Sequence, residues 1–203
     1  MNSNWLENTD CQPIRIKYLC KKTFSGGTPS TSNSEYWNGN IPWIASGEIQ
    51  NCDVANATDF ITLKGLQNSS TRLIEKDSTV LAMTGATCAN VGYLKIKTTA
   101  NQSVYAFAPK KNQLAKFLFY ALIAMREEIL SKQNGGAQAG INGMVCNNLY
   151  IPYLAYEKQQ KIVSYLDKIV GAIDGLISNL EKQIEELRNY KFSFISEYVS
   201  SNK

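Results

Sequence analysis

Residues 156–199 read YEKQQKIVSYLDKIVGAIDGLISNLEKQIEELRNYKFSFISEYV. Apolar residues recur in this stretch at intervals of four and three, the spacing of one face of an α-helix. The positions are Ile162, Leu166, Ile169, Ile173, Leu176, Leu180, Ile184, Leu187 and Tyr190. The first intervals alternate as in a heptad repeat, and the repeat slips by one residue after Leu180. The stretch therefore predicts one long helix with an apolar seam.

A helix of this length carries more apolar surface than a small domain can cover. From Glu157 to Tyr190 it would extend roughly 50 Å. Gly171 and Gly175 lower its helix propensity but allow a second helix to approach closely. We therefore predict a coiled-coil arm in which the seam from Ile162 to Leu187 is a dimerisation surface. The alternative is a C-terminal helix that folds back on its own domain.

The sequence before Pro152 has a different pattern. Short runs rich in β-branched and aromatic residues alternate with turn formers, which predicts several strands. The runs are WIASGEI, DFITLKG, STVLAMTG, NVGYLKIK, SVYAFAPK and NLYIPYL. One helix is predicted among them, from Leu114 to Lys132. We therefore expect an α+β fold, with a mixed or antiparallel β-rich domain over residues 1–153 and a long coiled-coil helix over residues 154–203.

The composition limits the class of protein. The chain has 203 residues, of which 44% are hydrophobic and 19% charged, as in globular proteins. It has no run of 18 apolar residues and no secretory signal, so we expect a cytoplasmic protein without a membrane span. Five scattered cysteines, no CxxC pair and no histidine argue against a zinc site and a disulfide framework. The net charge of +4 lies entirely within residues 1–150. That excess is compatible with nucleic-acid binding, although ordinary surface charge explains it as well.

Catalytic motifs are missing from the sequence. Without histidine, no Ser–His or Cys–His pair can form. There is no Walker P-loop, no GxGxxG and no Asn/Asp-Pro-Pro-aromatic box of the kind that amino-methyltransferases use. Carboxylates do not cluster as metal-dependent hydrolysis requires. We therefore predict a non-enzymatic chain that binds neither a cofactor nor a metal ion.

Candidate contacts to nucleic acid are of two kinds. Cationic side chains hold phosphates, and amide or hydroxyl groups bond to base edges. The candidate cations are Lys21, Lys22, Arg72, Lys95 and Lys97, the last two placed on one face of a predicted strand. The candidate amides are Gln138 and Asn142, in the glycine-rich stretch 131–142. For each amide, turn formation is the alternative role.

A polar stretch with large aromatic residues supplies the remaining candidates. Residues 25–43 read SGGTPSTSNSEYWNGNIPW, a composition that suits an ordered surface loop. The candidates are Thr28, Ser30 and Trp37, which such a loop would present to a ligand. Trp43 is better explained as a core residue beneath the loop.

Four segments in order resemble the specificity subunit of type I restriction–modification systems. SGGTPSTSNSEYWNGNIPWIASGEI resembles the start of its target-recognition domain. LAMTGATCANVGYLKIKTTANQSVYAFAP resembles the central Gly-Ala-Thr strand and its Asn-Gln pair, here Asn101-Gln102. GGAQAGINGMVCNNLYIPYL resembles the end of the domain, and EKQQKIVSYLDKI resembles the start of the spacer helix. Ala155-Tyr156 stands where the family usually has a second proline. The resemblance covers residues 12–195.

The resemblance implies sequence-specific recognition of double-stranded DNA, with Thr28, Ser30 and Trp37 near the DNA groove. In this family a recognition domain and a helix occur twice, and each domain recognises one half of a split target. The two helices pair antiparallel and dock the modification subunits. The methyltransferase and the restriction/motor subunits would bind S-adenosylmethionine and ATP, so this chain would bind neither.

One domain and one helix leave two arrangements open. The chain forms a homodimer on a palindromic split target, or it is a half-subunit that works with another chain. Two other functions also stay open. One is a coiled-coil scaffold or protein-interaction module without specific DNA binding, and the other is a stand-alone DNA enzyme.

Overall fold

The computed structural model describes residues 11–135 and 139–201. The chain divides into two compact units, Met1–Gln160 and Lys161–Lys203. The strands are β1 (Pro13–Arg15), β2 (Cys20–Ser25), β3 (Trp37–Ile44), β4 (Cys52–Val54), β5 (Asp59–Ile61), β6 (Thr79–Ala82), β7 (Val91–Leu94), β8 (Thr99–Ala100), β9 (Val104–Pro109) and β10 (Tyr150–Pro152). The helices are α1 (Leu63–Gln67), α2 (Ala115–Ala124), α3 (Arg126–Ser131), α4 (Gly143–Asn147) and α5 (Tyr156–Ser201).

A five-stranded sheet with the order β2-β9-β6-β7-β4 forms the centre of the first unit. The first four strands are antiparallel, and β4 runs parallel to β7. Residues of β6 and β9 such as Val80, Leu81 and Phe107 are fully buried. Their nearly continuous apolar runs are typical of strands covered on both faces.

Two smaller sheets flank this centre. Strands β5, β3 and β8 form one of them, in which β3 pairs antiparallel with β5 and parallel with β8. Strands β1 and β10 form a two-stranded antiparallel ribbon, although 135 residues separate Arg15 from its partner Tyr150. The ribbon joins the start of the domain to its end, directly before α5 begins.

Three local predictions were wrong. The helix predicted from Leu114 to Lys132 is two helices, because the backbone of the buried Met125 leaves helical geometry (ψ 7°) between α2 and α3. The second half of DFITLKG is helical, because the Oγ1 of Thr62 accepts a hydrogen bond from the Gly65 N–H and caps α1. In WIASGEI the strand ends at Ile44, and the Glu48 carboxylate accepts from the Ala45 N–H to form a turn.

Helix α5 spans 46 residues, from Tyr156 to Ser201, and lies within the range of residues 154–203 given for the predicted long helix. Its seam residues from Ile169 onward are exposed; Leu176, for example, is 64% exposed and Leu187 is 67% exposed. Ile162 and Leu166 are half-buried. Within the described residues, no helix is long and apolar enough to cross a membrane.

Candidate nucleic-acid interface

One end of the five-stranded sheet gathers several polar loops. Strands β2 and β6 end there, at Ser25 and Ala82, and their antiparallel neighbours β7 and β9 begin there, at Val91 and Val104. A further segment joins them because Gly140 pairs with Thr84. We call this surface the loop edge. It comprises residues 26–36, 83–90, 101–103 and 139–142.

Two tryptophans hold the first of these loops in place. The indole N–H of Trp43 donates to the Gly27 carbonyl (3.0 Å), and that of Trp37 donates to the Ser30 carbonyl (3.1 Å). The two rings meet edge to face with centroids 5.1 Å apart. Trp43 is buried, as expected for a core residue, and Trp37 is half-buried. The aromatic residues therefore fix a loop that its composition alone would leave mobile.

Gly26 allows the loop to pack tightly against the segment before β9. Its N–H donates to the Val104 carbonyl (2.9 Å), and a Cβ at this position would lie 2.2 Å from the Ala100 carbonyl oxygen. No side chain fits such a close backbone approach. The loop edge is therefore built from segments in fixed contact.

Hydroxyl and amide groups dominate the loop edge. Thr28 donates to the Oε1 of Gln102 (2.5 Å), and the hydroxyls of Ser30 and Ser32 lie 2.9 Å apart. The Oδ1 of Asn142 accepts from the Val145 N–H (3.0 Å) and caps α4, so its Nδ2 group is the part that can donate to a ligand. Gln102 is exposed and lies beside Thr28. The sequence analysis identified Gln102 as part of the Asn-Gln motif but did not predict it as a site residue. Gln138 lies outside the described residues.

The loop edge carries almost no charge. It contains no Lys, Arg or Asp, and its one carboxylate, that of Glu35, pairs with Lys64. The Lys64 ammonium holds the pKa of the Glu35 carboxyl below its usual value. Uncharged donors and acceptors select a ligand by the direction of its hydrogen bonds, and base edges in a DNA groove differ from one another in that direction.

Two of the predicted cations share a cleft. Lys22, Thr23, Phe24, Arg72 and Leu73 line an open cleft of about 380 Å³ on the outer strand of the sheet. The Arg72 guanidinium lies 5.8 Å from the centre of the Phe24 ring. Neither cation forms an ion pair with a carboxylate in the described part of the chain. Both charges are therefore available to an anion.

The other predicted lysines are placed differently. Lys95 and Lys97 lie in the turn beyond β7, not on the strand, because β7 ends at Leu94 where the chain turns. Lys95 pairs with Asp53 (3.5 Å) and Lys97 with Glu75 (2.8 Å). Together with Lys21, they lie at the end of the sheet opposite the loop edge. The structure therefore brings Thr28, Ser30 and Asn142 to the loop edge, with Trp37 hydrogen-bonded to it, and leaves these three lysines at the other end of the sheet.

The described residues show little that could perform chemistry. None of them form a group of three or more metal-binding side chains. Burial raises the pKa of the Cys20 and Cys146 thiols to about 12, so at neutral pH both remain protonated. A protonated thiol is a poor nucleophile. The groups gathered at the loop edge are suited to binding.

Comparisons with known proteins identify the family of the chain. Residues 8–186 match the type I restriction modification DNA specificity domain. The chain is 30% identical over 186 residues to the specificity subunit of the type I restriction enzyme EcoR124I/EcoR124II of Escherichia coli. That match covers 89% of this chain and 46% of the relative. It is 31% identical over 167 residues to the MjaIX specificity subunit of Methanocaldococcus jannaschii, covering 80% of this chain and 38% of the relative. The chain therefore spans less than half the length of these two relatives.

Solved structures share the fold. The HsdS subunit from Thermoanaerobacter tengcongensis matches with a TM-score of 0.63 at 20% identity, over 81% of this chain and 38% of that one. A chain from a structure on complex assembly and conformational transition of the type I R-M system matches with a TM-score of 0.73 at 16% identity, over 92% of this chain and 45% of that one. The predicted α+β fold with a long C-terminal helix is confirmed. The predicted family is confirmed as well: the chain belongs to the type I restriction–modification DNA specificity domains.

Proposed function

We propose that this chain is the DNA-recognition part of a type I restriction–modification enzyme. It binds one half of a split target through the loop edge and docks the methyltransferase and restriction/motor subunits. It performs no chemistry itself, and S-adenosylmethionine and ATP are bound by those partner subunits. The observation that carries the proposal is the loop edge, where fixed loops present hydroxyl and amide groups and almost no charge.

Base recognition depends on donors and acceptors held at fixed positions. The indole hydrogen bonds of Trp37 and Trp43 limit the motion of the first loop, so its hydroxyls lose little entropy when they bind. Gln102 and the Nδ2 group of Asn142 supply amides, which suit the N6 and N7 atoms of adenine. These groups would distinguish one base sequence from another.

Phosphate contacts would set the position of the domain on the duplex. Lys22 and Arg72 suit this role, because their cleft is open and their charges are not neutralised by a described carboxylate. Lys95 and Lys97 contribute less to phosphate binding in this proposal, since each must first give up a carboxylate partner. Recognition therefore divides between an uncharged edge and a charged cleft on the outer strand β2.

The seam of α5 supports a homodimer of this chain. Its apolar positions are arranged almost symmetrically about Leu180, and most of them are exposed. The matched pairs are Leu176 with Ile184, Ile173 with Leu187, Ile169 with Tyr190, Leu166 with Phe194, and Ile162 with Tyr198. A second copy running antiparallel, centred on Leu180, would therefore place apolar residues opposite apolar residues along the whole helix.

Charged residues beside the seam fit the same arrangement. Asp174 and Arg188 lie six and eight residues from Leu180 on opposite sides, so an antiparallel partner would bring the two side chains close together. Lys161 and Glu197 are matched in the same way, at 19 and 17 residues. A two-fold dimer would hold two recognition domains in opposite orientation, which matches a palindromic, interrupted target.

Methylome sequencing tests this function directly. A host that expresses the chain with its modification subunit should gain methylation at an interrupted palindromic motif, and a host with the modification subunit alone should not. The matched control is the Leu176→Asp variant, which keeps the loop edge but interrupts the seam, and it should lose the motif. An unchanged methylome with an intact dimer would contradict the proposal and favour a coiled-coil scaffold.

A further inference from the structure

A second charged surface lies away from the loop edge. Three segments, residues 11–25, 104–114 and 139–156, contain six cations and not one Asp or Glu. The net charge of the whole chain is only +4, so the remaining residues together carry −2. We call these six side chains the basic face. They are Arg15, Lys17, Lys21, Lys22, Lys110 and Lys111.

Backbone hydrogen bonds bring the three segments together. The Ile16 N–H donates to the Leu149 carbonyl (2.9 Å), and the Lys110 N–H donates to the Leu19 carbonyl (2.9 Å). Strand β2 has a register shift between Cys20 and Lys22, which inserts Lys21 as an extra residue. Lys21 and Lys22 are both exposed although they are consecutive. The charges thus collect on one part of the domain.

This part is the end of the sheet opposite the loop edge. Cys20, where β2 begins, pairs with Pro109, where β9 ends, whereas Ser25 and Tyr105 pair near the loop edge. Six residues of strand separate the two ends by about 17–20 Å. Contacts made at the far end of the sheet are therefore separate from contacts made by the loops.

No carboxylate of the described residues neutralises the basic face. In residues 11–135 and 139–201, none of its six cations forms an ion pair with a carboxylate. Arg15 donates instead to the Tyr150 hydroxyl (2.9 Å), and the Lys17 ammonium lies 5.2 Å from the Tyr18 ring. The hydrogen bond to Tyr150 raises the pKa of Arg15, which stays positively charged. An uncompensated positive surface of this size attracts a polyanion.

The side-chain types favour DNA over an acidic protein as that polyanion. Centres of protein–protein interfaces are rich in apolar and aromatic residues and poor in lysine, whereas five of the six cations here are lysines. Lysine and arginine are the usual partners of phosphate oxygens, and contacts of this kind carry no base preference. We propose that the basic face binds the phosphate backbone of duplex DNA independently of sequence, as a second contact separate from the loop edge.

The salt dependence of binding to a random duplex tests this proposal. Each phosphate contact contributes about 0.9 to the slope of log K against log salt. Replacing Lys21, Lys110 and Lys111 by Gln should therefore lower the slope by roughly 2–3 and weaken binding at low salt by roughly tenfold or more. Fluorescence anisotropy of the full chain with a labelled random duplex, from 50 to 300 mM salt, measures both quantities. Circular dichroism and a thermal melt establish that the variant is folded.

A matched control removes the same charge from elsewhere. Lys76, Lys132 and Lys182 lie outside the basic face, and each is next to an acid: Lys76 lies between Glu75 and Asp77, Lys132 pairs with Glu128 (3.2 Å), and Lys182 follows Glu181. Changing these three to Gln should alter the slope by less than about 1. A general effect of net charge would instead make the two triple variants equal, which would overturn the proposal.

The proposal rests on the proposed function only for its choice of DNA as the polyanion. The triple variant of the basic face should keep the ratio of target to random affinity, because the loop edge is intact. If no target preference exists at all, the proposed function fails while the slope on random duplex still tests the basic face. An unchanged slope combined with lost co-purification of the modification subunit would show that the face binds an acidic protein, and would refute DNA.

Discussion

The arrangement of two copies of α5 can be measured with spin labels on its outer side. Ser164 and Ser178 are exposed, and both lie about half a turn from the seam, so a cysteine carrying a nitroxide at either position leaves the apolar contacts in place. The exposed Cys52 and the half-buried Cys11 are first replaced by Ser. The buried Cys20, Cys88 and Cys146 remain, since burial protects them from the label.

The expected distances follow from helix geometry. In an antiparallel pair centred on Leu180, a residue and its copy are separated along the axis by twice their distance from the centre. Ser164 is 16 residues from Leu180, which gives about 48 Å at 1.5 Å per residue. Ser178 is two residues away, which gives about 6 Å along the axis, so the roughly 20 Å width of two helices dominates its distance. A parallel pair in register gives the same short distance at both positions.

Pulsed electron–electron double resonance distinguishes these outcomes. We expect a long distance for the Ser164→Cys label and a short one for the Ser178→Cys label. A Ser196→Cys label, 16 residues from Leu180 on the other side, should reproduce the long distance of Ser164. Adding Leu176→Asp should abolish the dipolar signal and halve the mass measured by light scattering. Equal short distances at Ser164 and Ser178 would refute the antiparallel register, and absence of any dipolar signal in the unmutated seam would refute the dimer.

Three further predictions concern the recognition domain. Replacing Lys22 and Arg72 by Ala should weaken binding to all duplexes about equally and lower the slope of log K against log salt by about 2. Lys95→Ala should lower this slope by less than about 1, because Lys95 is already paired with Asp53. A loss of affinity for some sequences only, measured by fluorescence anisotropy, would contradict the phosphate role. Gln102→Ala should reduce the ratio of target to random affinity by roughly tenfold without changing the salt slope. Asn142→Ser should have the same effect, because the serine keeps an oxygen that caps α4 but removes the amide donor. An unchanged ratio in competition binding would exclude both residues from base contact. Gln159→Leu should lower the free energy of unfolding by about 2–4 kcal/mol, measured by urea denaturation. The buried amide of Gln159 bonds to the Leu114 N–H and to the Leu154 carbonyl, and the variant leaves both groups without this partner. Glu157→Leu changes an exposed position in the same turn, and an equal loss there would show that the hydrogen bonds are not the cause.

The sequence predicted the elements whose pattern is local. Helix α5 follows from the spacing of its apolar residues, and the centres of β6 and β9 follow from their buried runs. Strand β2 was missed because it lies at an edge of the sheet, where Lys21, Lys22 and Thr23 interrupt the apolar pattern. The break at Met125 was missed because both halves have the same periodicity and Met is itself a good helix former.

The candidate site was predictable in its residue types but not in its grouping. Thr28, Ser30 and Asn142 meet at one edge because β2 pairs with β9 and because Gly140 pairs with Thr84, and neither pairing has a signal in one sequence. The antiparallel pairing of β7 with β6 carries Lys95 and Lys97 to the opposite end of the sheet. Their carboxylate partners, Asp53 and Glu75, lie far enough along the chain that the charge pairing is invisible before folding.

The symmetry of the α5 seam argues for the identity of its partner. A helix that pairs with an unrelated helix needs apolar residues at intervals that match that other helix. Its own apolar residues need not have the same spacing on the N-terminal and C-terminal sides of any central residue. A parallel pair of identical helices is matched whatever the intervals are. Equal spacing on the two sides of a central residue matters only when a helix packs antiparallel against an identical copy. Here the innermost pair, Leu176 with Ile184, and the outermost pair, Ile162 with Tyr198, have equal spacing from Leu180. The slip after Leu180, which looks like a defect in a heptad repeat, is the step of four that reflects the step from Leu176 to Leu180. The slip is therefore what the proposed two-fold axis at Leu180 requires.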